Sequence, residues 1–395
     1  MNCDQMSAQF RTFPSDPTSL LPLRFRRHGA AVVSGNERQM LSAVWQDPEQ
    51  TRASLTGQME LTQQSVHRLL STLHGDGMVL FGPLVPPKHK GKPSPRLLLN
   101  PRFGCALGVS LDTDRVGVAC MDFAGGHVTR QFSIAGDSVT AVLDRLDAEF
   151  DALLAQTRFG RDEVLGIGFA IAGYLMKSGR YNPPDPLVHW SEIDLARCVS
   201  ERFGLPCWTD NSANTAALCE AIFGLGRQHR DLVYLSFNYG FGAGIINQGD
   251  LLRGAFGNAG EIGMIFTPEE SGIRPALGLL LARLREAGHD DLHDIEELDR
   301  VTTPMSPHVT SWVAQVAPQL NRVINAVTAV ADPACIVFGG QVPRALAQAF
   351  IDRAEFYARP RHGHLNPLPE LAISSLGRET PAIGAACLPL KALVF

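Results

Sequence analysis

The sequence predicts an α/β body carrying a small helical module at its N-terminal side. Three observations predict it. Apolar strand-like runs alternate with helical periodicity from residue 103 onward. Glycine clusters punctuate that alternation. The charge also divides: residues 1–102 hold 12 Lys+Arg against 7 Asp+Glu, and the remaining 293 residues hold 23 against 33. A basic module that meets a polyanion, joined to an acidic body, has this signature.

Composition narrows the classes further. The 395 residues are 45% apolar and 19% charged, too apolar for a disordered chain. No apolar stretch reaches the roughly 18–20 residues that span a bilayer. Asp4 and Arg11 come too early for a signal peptide. The eight cysteines contain no closely spaced pair, which argues for reduced thiols, against a zinc ligand pair, and for a cytoplasmic protein.

Residues 1–30, with Pro14, Pro17, Pro22 and the cluster Arg24, Arg26, Arg27, read as a flexible arm, either a charged tail or a DNA-contacting one. Residues 31–102 read as a winged helix-turn-helix domain. Asn36 is placed to cap a helix reaching Trp45, with Met40, Leu41, Val44 and Trp45 on its apolar face. Asp47-Pro48 stops it. A short helix over Thr51–Thr56 turns Ala53 and Leu55 inward, and Gly57 opens a turn. The third helix runs from Thr62 to about His74, with Val66, Leu69, Leu70 and Leu73 at helical spacing. Its other face offers Gln63, Gln64, Ser65, His67 and Arg68, groups suited to base edges and phosphates. Two strands follow, Met78–Phe81 and Arg96–Leu99. The loop between them carries Lys88, Lys90 and Lys92 and no acid, a tip able to neutralise phosphates. A protein-interaction module remains the alternative.

The body, residues 103–395, opens with strands at Cys105–Leu111, Val116–Met121 and His127–Phe132, a helix from Val139 to about Leu154, and a strand at Leu165–Ile171. A helix over Leu195–Phe203, a strand at Cys207–Thr209, a helix over Ala213–Phe223 and a strand at Leu232–Phe237 follow. A last strand ends at Gly339-Gly340, before a helix from Pro343 to Phe350. The glycines around 240–244, 249–254, 257–263 and 339–340 suit either close backbone approach to a ligand or ordinary turns. Neither a Rossmann fingerprint nor a P-loop occurs.

Several segments resemble the ROK family (repressors, open reading frames and sugar kinases). Thr209-Asp210-Asn211-Ser212-Ala213-Asn214 resembles its V-D-N-D-A-N segment. Gly242-Ala-Gly244-Ile-Ile, then Gly249, Gly254 and Ala259-Gly260-Glu261-Ile262-Gly263, resembles its GAGI…G…G…AGEIGH signature. Gly168–Gly173 is similar to its G-I-A-x-P-G turn, and Asn182 with Trp190 to its N-x-x-x-W segment. His189 beside Trp190 suits either a pair that stacks on a sugar ring or an ordinary surface histidine. The N-terminal stretch is similar to the winged-helix arm of ROK repressors of the N-acetylglucosamine and xylose type. The resemblance implies an actin-like, two-lobed sugar kinase fold, with sugar bound between the lobes and Asn182, Asn211, Ser212 and Glu261 at sugar-contacting positions.

Three departures from the family pattern bear on chemistry. Ser212 stands where family kinases carry their general base, and an unperturbed hydroxyl is no base near neutral pH. Ser110-Leu111-Asp112-Thr113-Asp114 stands where kinases have the glycine turn that holds phosphate, and its acids repel a triphosphate. Met264 and the cysteine-free stretch after it replace the family's zinc segment, so no metal or cofactor is expected. The sequence therefore reads as a regulator without phosphoryl-transfer activity. It is expected to repress sugar metabolism, to bind operator DNA as a homodimer or dimer of dimers, and to sense a sugar or sugar derivative. An ATP-dependent sugar kinase with a DNA-binding arm is the alternative.

Overall fold

The computed structural model describes residues 20–27, 32–86, 92–134 and 138–395. By contact density the chain forms two units. The described part of one comprises residues 20–171, 188–210 and 385–395; that of the other comprises 172–187 and 211–384.

The first unit begins with three helices, α1 (Gly35–Gln46), α2 (Arg52–Gln58) and α3 (Gln63–Gly75), followed by an antiparallel hairpin, β1 (Val79–Val85) with β2 (Ser94–Leu99). Met40, Leu41, Val44, Leu55, Val66, Leu70, Leu73, Val79 and Leu97 are buried and form the shared core. Each such side chain contributes about 1.5–3 kcal/mol on burial, which a module this small requires. Its details differ from expectation. Ser34, not Asn36, caps α1, and the Glu37 carboxylate returns to accept the Ser34 N–H at 2.8 Å. Ala53 faces solvent, and Gly57 lies inside α2.

Residues 20–27 are packed rather than loose. Phe25 is fully buried beside Phe103, with ring centroids 5.4 Å apart. Arg24 pairs with Glu163 at 2.8 Å, and Arg27 pairs with Glu37 and Asp76. Two arginines expected in a free arm are thus committed to the body, to α1 and to the end of α3. Residues 1–19 lie outside the described residues.

The rest of this unit is a five-stranded sheet in the order β5-β4-β3-β6-β9, from β3 (Cys105–Leu111), β4 (Arg115–Asp122), β5 (His127–Ser133), β6 (Val164–Ile171) and β9 (Cys207–Asn211). Helices α4 (Val139–Thr157) and α5 (Leu195–Phe203) accompany it. Strands β3 and β6 are buried along their length, the mark of a sheet covered on both faces.

The second unit has a sheet of the same design, β12-β11-β10-β13-β14, built from β10 (Leu232–Phe237), β11 (Phe241–Asn247), β12 (Asp250–Leu251), β13 (Cys335–Gly340) and β14 (Glu370–Ile373). In both sheets the first two strands are antiparallel and the fourth runs parallel to the first. Its helices are α6 (Ser212–Phe223), α7 (Leu277–Glu286), α8 (Pro307–Ala331) and α9 (Arg344–Ile351), and α10 (Thr380–Leu393) begins in it. The small hairpin β7 (Tyr174–Leu175) with β8 (Tyr181–Asn182) completes it. Helices α7 and α8 lie where the sequence reading places no helix. Val309, Val313, Val316, Leu320, Val323 and Val327 nevertheless lie on one buried face of α8 at helical spacing.

Of the glycines expected to join strands at 240–244, Gly240 lies in the turn between β10 and β11, while Gly242 and Gly244 lie within β11. A Cβ at Gly244 would fall 2.7 Å from the Ala213 carbonyl oxygen and 2.5 Å from the Ala217 Cβ. Gly244 is there so that α6 can lie against the strand, which is a packing role and not a ligand-facing one.

Candidate functional site

The residues singled out by the sequence fall into two groups. The first lies on α3. Thr62 caps the helix, its Oγ1 accepting the Ser65 N–H at 3.2 Å. With Val66, Leu70 and Leu73 buried, helical geometry turns Gln63, Gln64, His67 and Arg68 outward, and all four are exposed. Ser65 is half-buried and its hydroxyl lies 3.0 Å from that of Thr62, so it serves the cap first. Lys92 is exposed just before β2. Lys88 and Lys90 lie outside the described residues.

The second group lies wholly within the second unit and is joined by hydrogen bonds. Asn211 is the N-cap of α6: its Oδ1 accepts the Ala213 N–H at 2.7 Å, while its Nδ2 donates to the Gly173 carbonyl at 2.7 Å. Gly173 has φ +110°, and a Cβ there would meet the Asn182 carbonyl oxygen at 2.2 Å. Only glycine fits that turn. Asn182, in the second strand of the hairpin, donates from Nδ2 to the Tyr174 hydroxyl at 2.6 Å. Leu175 then exchanges two hydrogen bonds with the Asn258 side chain, at 2.7 and 2.8 Å, and the Asn258 carbonyl accepts the Glu261 N–H at 3.3 Å.

Two of the four residues expected at a sugar site have chemistry to spare. The Ser212 Oγ, in the first turn of α6, is inaccessible to solvent and has no hydrogen-bond partner among the described residues. A buried unmatched hydroxyl costs about 1–3 kcal/mol, which a ligand hydroxyl or acceptor would recover. Burial pushes the Glu261 carboxyl above the usual glutamate range. Asn211 and Asn182 instead hold other parts of the cluster in place. Asn258 and Tyr174 were missed by sequence reasoning. Asn258 sits between Gly257 and Gly260, both at positive φ, and that Gly-Asn-Ala-Gly run was the available signal.

Of the two readings of His189, the exposed position agrees with the surface histidine. Trp190 is buried against Phe169, with ring centroids 5.9 Å apart, leaving exposed His189 beside it. Asp114 in the turn between β3 and β4 is paired with Arg115 at 3.2 Å. Where the family has its zinc segment, Glu270 and Arg322 form a two-pronged ion pair at 2.6 and 2.8 Å. That pair holds the Glu270 carboxyl down to about 2.

Residues 128–274 match the model of the ROK family. The chain is 22% identical to the xylose repressor of Bacillus spizizenii, an alignment covering 91% of this chain and 96% of that protein. Its fold resembles the crystal structure of a ROK family transcriptional regulator, a homologue of the E. coli MLC protein, with a TM-score of 0.66, 18% identity, and coverage of 91% and 96%. It also resembles a ROK family glucokinase from Streptomyces griseus, solved with glucose and AMPPNP, with a TM-score of 0.60, 20% identity, and coverage of 72% and 99%. The glucokinase likeness covers less of this chain than the regulator likeness does. Residues 128–274 thus match the ROK family, and the fold of the chain is like that of ROK family structures.

Proposed function

We propose that this protein is a sugar-responsive transcriptional repressor. The observation that carries the reading is the outward polar row Gln63, Gln64, His67 and Arg68 on α3, set on a three-helix module with a hairpin. A helix with this face fits the major groove, where amides read adenine and Arg reads guanine or phosphate. Lys88, Lys90 and Lys92 supply phosphate contacts. The similarity to a named repressor along nearly the whole chain supports the same reading. Two copies bind a palindromic operator in the cytoplasm.

The effector is a sugar or sugar derivative, held by Ser212 and Glu261, with Asn182 and Asn211 fixing the surrounding backbone. Phosphoryl transfer is not part of the function, because a serine occupies the position of the kinase base and acids stand where the phosphate-binding glycines would be. Anisotropy titration of a duplex selected by the full chain from a random library tests the reading. Binding is expected to weaken when the effector sugar is added. ATP-dependent phosphorylation of D-xylose, D-glucose or N-acetyl-D-glucosamine by the chain, with no duplex selected, would overturn it.

A further inference from the structure

The last turn of α10 grips the first helix of the DNA-reading module. The Arg38 guanidinium, on α1, donates to the carbonyls of Lys391 at 2.8 Å, Ala392 at 2.9 Å and Phe395 at 3.1 Å. Lys391 and Ala392 lie in the last turn of the helix, where the carbonyls carry its partial negative charge, and Phe395 follows just past it. Trp45 is seven residues further along α1, on the same face, and its ring meets Phe395 edge-on. Phe395 in turn packs against Phe123 of the body, with centroids 5.4 Å apart.

The other end of α10 reaches the helix that carries the candidate sugar residues. A Cβ at Gly384 would fall 1.8 Å from the Thr215 carbonyl oxygen, so α10 lies against the first turn of α6 with no room for a side chain. Between these two contacts the helix has a built-in weak point. Pro389 has no N–H to give the Ala385 carbonyl, four residues earlier. That carbonyl faces Gly168 of β6, whose absent Cβ would otherwise stand 1.8 Å from it.

We propose that α10 relays occupancy of the sugar site to the DNA-reading module. It senses the first turn of α6 at Gly384, yields at Ala385–Pro389, and moves α1 through Arg38. The relay rests on the repressor reading given above and supplies its route of regulation. A shift of α1 displaces α3, with which it shares a core, and a dimer on an operator tolerates little displacement of its recognition helices. Coupling of this kind needs a differential contact at each end, and Gly384 and Arg38 provide them.

Two variants of the full chain test the relay. In Gly384→Ala, amide hydrogen exchange is expected to quicken in α6 and also in α1, between Met40 and Trp45. Altered exchange in α6 with wild-type exchange in α1 would overturn the relay, whether or not the repressor reading holds. In Arg38→Met, affinity for the duplex selected by the wild-type chain is expected to stay within about threefold. The effect of D-xylose, D-glucose or N-acetyl-D-glucosamine on that affinity is expected to fall from about tenfold to less than about twofold. An undiminished sugar effect in Arg38→Met would sink the relay as well. Failure of the repressor reading looks different, since the wild-type chain would then select no duplex at all, and the exchange experiment still decides the relay.

Discussion

Asn211 and Gly173 are joined by a 2.7 Å hydrogen bond from the Asn211 amide to the Gly173 carbonyl, and the same side chain caps α6. One residue therefore fixes both the start of the helix bearing Ser212 and the strained turn leading to Asn182. Asn211→Ala is expected to lose about 1 kcal/mol from the cap alone. Asn211→Asp keeps the cap and loses the donor to Gly173. Sugar affinity, measured by calorimetry, is expected to fall in both variants, while stability in urea falls mainly in the first. Equal loss of stability in both would argue that the Gly173 bond, and not the cap, is what the residue supplies.

Gly173→Ala places a methyl group where the Asn182 carbonyl already lies and forces a side chain to φ +110°. Backbone strain of this kind costs about 1–3 kcal/mol. The variant is expected to lose sugar-induced thermal stabilisation and to keep its affinity for the selected duplex, because α3 lies in the other unit. Loss of duplex binding at unchanged sugar binding would contradict the placement of the two sites.

Glu261 gives a pH dependence whose sign follows from burial. Its folded-state pKa lies above the unfolded value, so the folded chain holds the proton more tightly. Stability contributed by the protonated form is present below the ordinary glutamate pKa and is lost as pH rises through the raised value. Glu261→Gln is expected to be more stable than the wild type at pH 7, by up to about 1 kcal/mol, and to bind sugar more weakly. Urea unfolding at pH 4 and pH 7 checks this, and a variant less stable than the wild type at pH 7 would show that the carboxylate has a favourable partner.

Glu270 behaves in the opposite sense. Arg322 lowers its pKa to about 2, so the stabilisation is present above the ordinary glutamate value and is lost as pH falls toward 2. Arg322→Met is expected to quicken hydrogen exchange over residues 262–273 at pH 7 and to bring the carboxyl back toward its usual range, measurable by NMR titration. Wild-type exchange there would mean that packing alone holds the segment.

On α3, Arg68→Ala is expected to weaken duplex binding by about 1–3 kcal/mol. Lys92→Gln is expected to weaken it less and to lower the slope of log affinity against log salt by about 1. Unchanged affinity and slope in both variants would favour a protein partner for this face.

Local pattern made much of the fold legible. The apolar spacing Val66, Leu70, Leu73 placed α3 and therefore its outward face, and β3, β10 and α5 fall where the sequence puts them. Helix α8 was not read in the same way, although Ser306-Pro307 frames its start and Asp332-Pro333 its end, because Pro318 interrupts the run and a proline inside a helical pattern argues against one continuous helix. The candidate cluster was legible at Asn182, Asn211, Ser212 and Glu261 only through likeness to a family. Asn258 and Tyr174 were not legible, since their importance lies in bonds to residues 83 and 8 positions away.

By itself, the sequence determined the class of elements, the charge division and the outward face of α3, because helical periodicity and local charge depend on near neighbours along the chain. Tertiary structure alone decided which of the candidate residues remain available. Asn211 is committed to a cap and to Gly173, and Arg24 and Arg27 are committed to carboxylates, while among the described residues Ser212 Oγ keeps an unmade bond. It also decided that Arg38 meets the end of a helix 353 residues away. Hydrogen-bond partners and burial depend on which segments meet in space, and spacing along the chain does not contain that information.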